Sequence, residues 1–181
     1  MNAWIECLKN PKGTLSKEKA NSDMGKAIVN VAKAGALLGL VIGLFLVITG
    51  SVALGGMADV GAIISIVLVA IILPISFLII QVILLVISKV LVGKGTFEQQ
   101  AYLSSIVAGA GIVLILAAMT LVGVLFLVAT DLGVMLGAVL ILIALLYNLY
   151  LNILALKEAH DFSFVMALVV MIVYTIIMQL L

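Results

Sequence analysis

Five apolar runs dominate this chain, and each is long enough to cross a membrane as a helix, which takes about 20 residues. The runs cover approximately residues 34–54, 61–92, 101–129, 132–156 and 162–181. Hydrophobic residues make up 66% of the 181 residues and charged residues 9%, against roughly 45–50% and 25% in soluble domains. The sequence therefore predicts an all-α integral membrane protein built as a five-transmembrane-helix bundle.

The polar part of the chain is concentrated before the first apolar run. We predict that residues 1–33 form a cytoplasmic or interfacial N-terminal arm and that residues 34–181 form the five-helix transmembrane domain. The connections between the apolar runs are short, so they leave no room for a soluble catalytic domain.

A proline inside the second run allows a competing topology. Pro74 could divide residues 61–92 into two short crossings. A turn at membrane depth would leave backbone groups without hydrogen-bond partners, and the neighbours Leu73 and Ile75 supply none. The split would also move Lys89 across the membrane. We therefore predict one long helix, kinked near Pro74.

The lysines predict the orientation of the chain. All nine fall on one side of a five-span topology: Lys9, Lys12, Lys17, Lys19, Lys26, Lys33, Lys89, Lys94 and Lys157. The connections on the other side carry only Asp59 and Asp131. Because basic residues concentrate in cytoplasmic connections, we predict a multi-pass cell-membrane protein with a cytoplasmic N-terminus and a C-terminus outside.

The N-terminal arm has the pattern of a membrane-surface helix. Apolar residues follow Trp4 at helical spacing, and Pro11 ends the helix because the residue before a proline avoids the helical region. Six lysines against three acids give residues 1–33 a net charge of +3. We predict an amphipathic interfacial helix with Trp4 at headgroup level and Lys9 and Lys12 beside it as a membrane-surface anchor. Its partners would be anionic lipids of the cytoplasmic face.

Four polar or aromatic residues form a candidate site in the cytoplasmic leaflet. Gln81 of the second run lies at a depth similar to that of Asn148 and Asn152 of the fourth, and Tyr150 lies close to both asparagines in sequence. One interpretation is hydrogen bonding between helices and interfacial anchoring. The other is a polar cavity, open to the cytoplasm, that receives a lipid headgroup or a partner segment.

Small residues predict a close helix contact in the first run. Gly35, Gly39 and Gly43 recur every four residues and form a helix-packing ridge. Such a ridge lets a neighbouring backbone approach closely. The neighbour is either another helix of the same chain or, in a homo-oligomer, a second copy.

The remaining residues suggest no catalytic or cofactor chemistry. The span interiors contain no ionisable side chain, which argues against an ion-coupled pump. His160 is the only histidine, Cys7 is the only cysteine, and His160 is expected in a solvated turn. We therefore predict no catalytic residues, no metal and no cofactor. The net charge of +1 gives no basic face for nucleic acid.

Helix boundaries are marked around the connections on the lysine side. Gly93 is suited to end the helix of the second run. Thr96 and Gln99 have the spacing of a capping box, which begins the next helix. Ser163 or Asp161 is predicted to cap the last helix.

Several short motifs together resemble the Yip domain family, five-span membrane proteins named for interaction with Ypt/Rab GTPases. The motifs are Trp4 followed by Asn10-Pro11, the long second helix ending in Gly93-Lys94-Gly95-Thr96-Phe97, and the last turn with Ser163 and Ala167-Leu168. The chain is more similar to the short prokaryotic-type members than to the eukaryotic ones, because the long cytosolic arm and its Asp-Leu-Tyr-Gly-Pro motif are missing. Asp161-Phe162 also replaces a frequent glycine. Because of these differences, the resemblance does not imply that this chain binds a GTPase.

The sequence is consistent with two functions. The resemblance implies a non-catalytic adaptor or scaffold in membrane organisation or trafficking, with a possible protein partner or homo-oligomer. The absence of catalytic constellations from the sequence favours the same role. The alternative is a facilitator or transporter of a neutral or lipidic solute that would use the region of Gln81, Asn148 and Asn152.

Overall fold

The computed structural model describes residues 2–50, 57–128 and 130–180. All regular secondary structure in these residues is helical, as the sequence predicts. The helices are α1 (Asn2–Lys9), α2 (Pro11–Lys19), α3 (Met24–Gly50), α4 (Met57–Val90), α5 (Phe97–Val128), α6 (Thr130–His160) and α7 (Phe164–Leu180). The charged end of the bundle is the end at which α3, α5 and α7 begin and at which α4 and α6 end.

The length and composition of the helices are those of a membrane protein. Among the described residues, four helices contain segments long and apolar enough to cross a membrane: Met24–Leu44, Ile66–Val90, Phe97–Leu125 and Val134–His160. The apolar helix α7 has 17 residues. The prediction of a helical, multi-pass membrane protein is confirmed. The predicted run ends at residues 54, 129 and 181 lie outside the described residues.

The first long helix begins earlier than the sequence predicts. It starts at Met24 rather than at residue 34. The Asp23 side chain accepts a hydrogen bond from the Lys26 amide at 2.6 Å, which caps the helix start. Asn30 finds a partner in the bundle by donating to Ser105 Oγ at 3.2 Å. The last residues of the predicted arm are therefore part of α3.

The second run forms a single helix, as predicted. Pro74 lies inside α4, whose 34 residues continue from Met57 to Val90. At about 1.5 Å per residue, this helix is about 51 Å long. It exceeds the hydrocarbon thickness of about 30 Å, so it either tilts strongly or extends beyond the hydrocarbon core.

Two predicted helix starts are confirmed by their hydrogen bonds. Thr96 and Gln99 form the capping box, in which each side chain bonds the other residue's backbone amide at 3.2 Å. Ser163 caps α7, because its hydroxyl accepts a hydrogen bond from the Met166 amide at 3.2 Å. Asp161, the other predicted cap, instead has a left-handed backbone with φ 55°.

The turn that ends α4 places a β-branched residue in a strained conformation. Val92 has φ 64°, and the Gly93 amide after it donates to the Ser88 carbonyl at 2.8 Å. This is the usual hydrogen bond after a left-handed helix end, but the left-handed residue is Val92 rather than a glycine. The left-handed conformation costs a residue with a Cβ roughly 1–2 kcal/mol.

We expect the substitution Val92→Gly to stabilise the protein by about 1 kcal/mol, because glycine adopts this conformation without strain. The Val92 side chain is 83% exposed, so little packing is lost. Thermal unfolding of the purified full-length protein measures the change. Val86→Gly, inside α4 at 57% exposure, is the control and should destabilise. Val92→Gly protein that is no more stable than wild type would contradict the assigned strain.

The core is concentrated near the charged end. One buried cluster joins α1 and α2 to α3, α5 and α6 and includes Trp4, Leu15, Leu103, Ile106 and Leu154. A second cluster joins the last part of α4 to α6 and α7 and includes Leu84, Ile87, Leu156, Phe162 and Val170. The side chains exposed on α4, α5 and α6 towards the other end are largely apolar, as on a lipid-facing surface.

The long helices α3 and α4 pack along each other. An added Cβ at Gly35 would lie 2.8 Å from the Val69 carbonyl oxygen of α4, so this glycine permits close backbone approach. Gly39 and Gly43 are also buried. The contact at Gly35 is therefore made within the chain.

Candidate functional site

The N-terminal helix is packed into the bundle. Trp4 is 2% exposed, and its indole ring lies against Gly109 of α5. A Cβ at Gly109 would overlap the ring, so this slot exists only because the residue is glycine. Gly109 is about 18 Å along α5 from its start at Phe97. Burial against α5 removes the whole indole ring from solvent, and its position at headgroup level stays a prediction.

Hydrogen bonds join the arm to the long helices behind it. Tyr147 of α6 donates to the Leu8 carbonyl at 2.8 Å. Tyr102 of α5 donates to the Glu18 carboxylate at 2.7 Å. The arm is therefore held at both α1 and α2.

An ion pair holds the far end of α2. Lys19 lies 2.6 Å from the carboxylate of Asp161, the residue that follows α6. The hydrogen bond from Lys19 lowers the pKa of Asp161. Because the Asp161 side chain is 60% exposed, this pair contributes little to stability.

The single cysteine lies on the side of α1 that packs against the bundle. Cys7 has 0% exposure and lies in the same core cluster as Trp4. Burial raises the pKa of its thiol to about 11. Since the thiolate is the reactive form, we expect Cys7 to react slowly at neutral pH while the arm stays docked.

The exposed face of the arm is polar. A groove of about 310 Å³ between α1 and α2, called here the arm groove, is lined by Glu6, Lys9, Asn10, Gly13, Thr14 and Lys17. Lys9 and Lys12, the two predicted anchor lysines, are both exposed, and Lys9 lines the groove. The arm thus directs its apolar residues into the bundle and most of its lysines outwards.

Beside the arm, a chain of buried polar side chains crosses the charged end. Gln100 of α5 is 0% exposed. Its Nε2 donates to both the carbonyl and the side-chain oxygen of Gln81 in α4, each at 2.9 Å. Its Oε1 lies 2.7 Å from Nε2 of His160 at the end of α6. Because Gln100 Oε1 accepts, His160 Nε2 carries the hydrogen, and three helices are joined.

The expectation that His160 lies in a solvated turn is wrong. The ring is 1% exposed and stacks on Phe162 with centroids 5.3 Å apart. The connection between α4 and α5 covers it: a Cβ at Gly93 would lie 2.7 Å from His160 Nδ1. The Lys94 amide also donates to the His160 carbonyl at 3.2 Å. The glycines of that connection allow it to pack directly on the end of α6.

The structure brings together part of the predicted polar cluster. Gln81 and Asn152 line one cavity of about 250 Å³. Asn148 is hydrogen-bonded to Asn152, whose side-chain Nδ2 donates to the backbone carbonyl of Asn148 at 2.8 Å. Tyr150 lies apart, with its ring 6.0 Å from that of Tyr147. Gln81 takes its hydrogen bonds from Gln100 rather than from an asparagine.

Gln100 and His160 are the site residues that the sequence reasoning missed. The sequence does contain a signal for a buried polar contact at Gln100. Ser104 follows it one helical turn later, so the two residues form a polar stripe that continues past the capping box. A signal for His160 was the pair Gly93 and Gly95 in the connection that covers it. Neither signal indicates which distant residue completes the contact.

This arrangement offers hydrogen bonds rather than reactive groups. Among residues 2–50, 57–128 and 130–180, no group of three or more His, Cys, Asp or Glu could hold a metal ion. His160 is held by Gln100 and covered by the α4–α5 connection. The hydrogen bonds of Gln81, Gln100 and His160 therefore fix α4, α5 and α6 relative to one another.

Comparison with known proteins identifies the family of this chain. A family model described as the Yip1 domain matches residues 5–181, nearly the whole chain. No curated protein and no solved structure matches.

Proposed function

Because the chain belongs to the Yip1 domain family, we propose that it acts without catalysis, as an adaptor or scaffold in membrane organisation or trafficking. The observation that carries the proposal is the docked arm. An adaptor needs a surface of persistent shape, and α1 and α2 are held on α5 and α6 through Trp4, Tyr102 and Tyr147. The arm groove lies on the outer side of these helices and carries exposed lysines.

We propose that α7 crosses the membrane together with the four longer helices α3 to α6, with the N-terminus in the cytoplasm and the C-terminus outside. The lysine distribution supports this orientation. In a Cys7→Ser background, cysteines introduced at positions 59 and 131 should react with a reagent added outside. Labelling of either position only from the cytoplasmic side would contradict the topology.

The proposed partners lie at the cytoplasmic face. The net charge of +3 on residues 1–33 and the exposure of Lys9 and Lys12 favour anionic lipid headgroups near the arm. The arm groove is the proposed protein-binding surface, and its lysines favour a partner with an acidic surface.

Site-specific photo-crosslinking tests the adaptor role. A photoreactive residue at position 6, which lines the arm groove, should form a discrete protein adduct in cells, whereas one at lipid-facing position 124 should react with lipid. The Lys9→Glu/Lys17→Glu variant should lose that adduct, and the identified partner, once purified, should bind wild type but not the variant. Adducts at position 6 that contain lipid alone would contradict the proposal.

A specific observation also favours the alternative function, facilitation of a neutral or lipidic solute. Gln81 and Asn152 line a cavity between the helices. Saturable solute or lipid flux into liposomes, lost in Asn152→Leu protein, would support the facilitator and contradict the adaptor. We expect no saturable flux, because residues 109–119 of α5 and 132–146 of α6, which lie beyond this level, include no polar side chain.

A further inference from the structure

The cavity between α4, α5, α6 and α7 collects polar side chains at one level of the bundle. Its lining includes Gln81, Ser104, Asn152 and Tyr174, one from each helix. Counted from the charged end, each lies about 10–15 Å along its helix. Four polar residues from four helices therefore converge on one apolar-walled space within the membrane-spanning region.

These side chains have hydrogen-bonding groups to spare. Gln81 uses its oxygen to accept from Gln100, which leaves its Nε2 without a hydrogen-bond partner in the part of the chain that the structure describes. Asn152 uses its Nδ2 to donate to Asn148, which leaves its Oδ1. The hydroxyls of Ser104 and Tyr174 have no hydrogen-bond partner among the described residues. Gln81 is 3% exposed and Ser104 6%, so water outside the protein has little access to them.

The lining of the cavity favours an uncharged ligand. The rest of the wall is apolar and includes Phe77, Leu84 and Met171, and no lysine, aspartate or glutamate reaches the cavity. Burying a phosphate or an ammonium group there would cost several kcal/mol without a paired charge. Hydroxyl and ester groups, by contrast, match both the donors and the free acceptor of Asn152.

The volume sets the size of the polar part. About 250 Å³ corresponds to roughly eight water molecules at about 30 Å³ each. This space holds a glycerol unit with one ester group but no fatty-acid chain, which must leave between the helices into the surrounding lipid. Phe77 and Tyr174 on the wall are half-buried, so the cavity is not sealed on their side.

We propose that this cavity binds the headgroup of an uncharged glycerolipid, of the mono- or diacylglycerol class. Gln81 Nε2 and the hydroxyls of Ser104 and Tyr174 donate to the ester and hydroxyl oxygens of the lipid. Asn152 Oδ1 accepts from its free hydroxyl. The proposal goes beyond the adaptor role and does not depend on it, because a resident lipid requires neither flux nor a protein partner.

Photolabelling of the full-length protein in lipid nanodiscs tests this assignment. The probe is dioctanoylglycerol with a diazirine on one chain, and labelled peptides are mapped by mass spectrometry. We expect labelling on α4 to α7 that unlabelled dioctanoylglycerol displaces and dioctanoyl phosphatidylglycerol does not. Equal displacement by the two lipids, or no specific labelling, would overturn the proposal.

Conservative variants provide the second arm of the test. Tyr174→Phe and Ser104→Ala each remove one hydroxyl with almost no change of shape, and each should weaken binding about 2- to 10-fold. The matched control Tyr150→Phe, outside the cavity, should bind as wild type. Ala108→Leu, which fills the cavity, should abolish labelling. If Ala108→Leu does not fold, the two hydroxyl variants decide, and unchanged binding in both would overturn the proposal.

Discussion

Replacement of Trp4 by alanine is expected to release the N-terminal arm from the bundle. The indole is 2% exposed and occupies the slot at Gly109, and removal of a buried tryptophan costs about 3–5 kcal/mol. The hydrogen bonds from Tyr147 and Tyr102 to the arm contribute only about 1 kcal/mol each. Leu15, which is fully buried, still anchors α2, but α1 loses its largest buried side chain, so α1 should undock in most molecules.

The rate of Cys7 alkylation measures this release, because Cys7 is buried with Trp4 in one cluster and is the only cysteine. The rate should rise by at least two orders of magnitude in Trp4→Ala. Gly109→Leu should have the same effect from the α5 side, because the added side chain occupies the slot. The control Ile5→Ala, on the same helix at 41% exposure, should label as wild type. Equal rates in all four proteins would show that Trp4 does not hold the arm.

Substitution of Gly95 by alanine is expected to destabilise the charged end by about 1–3 kcal/mol. A Cβ at this position would overlap the carbonyl group of Ala159, a backbone group of α6 that cannot move aside as a flexible side chain does. The α4–α5 connection would have to lift from His160, and overpacking of this kind has costs in that range. Exposure of His160 should follow, because the same connection covers its ring.

Thermal unfolding and the ring NMR signals of the single histidine measure the two effects. The matched control is Gly61→Ala, since an added Cβ at Gly61 has no heavy atom within 4 Å. This control should gain up to about 1 kcal/mol from better helix propensity. Gly95→Ala protein as stable as Gly61→Ala would mean that the connection does not pack on α6 as described.

The sequence predicts the elements of the fold because their signals are local. Apolar runs identify α3 to α7, and the capping box predicts the start of α5. The neighbours of Pro74, Leu73 and Ile75, supply no polar partner for a turn, which indicates one continuous α4. The start of α3 was missed because Lys26, Asn30 and Lys33 resemble aqueous sequence. At the end of a helix such residues are tolerated, and Asn30 even finds a partner in Ser105.

The site was less accessible to sequence reasoning because its contacts join distant residues. The apolar pattern around Trp4 is the same whether its helix lies on a membrane surface or packs against another helix. The space for the ring is provided by Gly109, which lies 105 positions later in the sequence. Depth arguments predict that Gln81 and Asn152 lie at one level, and in the structure both line one cavity. They could not show that Gln100 takes the hydrogen bonds of Gln81, since helix depth does not specify which helices are neighbours.

The reactivity of Cys7 in the wild-type protein shows whether the arm is an integral part of the bundle. With its pKa raised to about 11, fewer than about one thiol in a thousand is ionised at pH 7.5, against roughly one in ten for a free cysteine. In native membranes, Cys7 should therefore react with a water-soluble maleimide at least 100-fold more slowly than the cysteine of a Cys7→Ser/Lys12→Cys variant, which lies on the exposed side of the arm. Equal rates at the two positions would contradict the docked arm and the surface on which the proposed function depends.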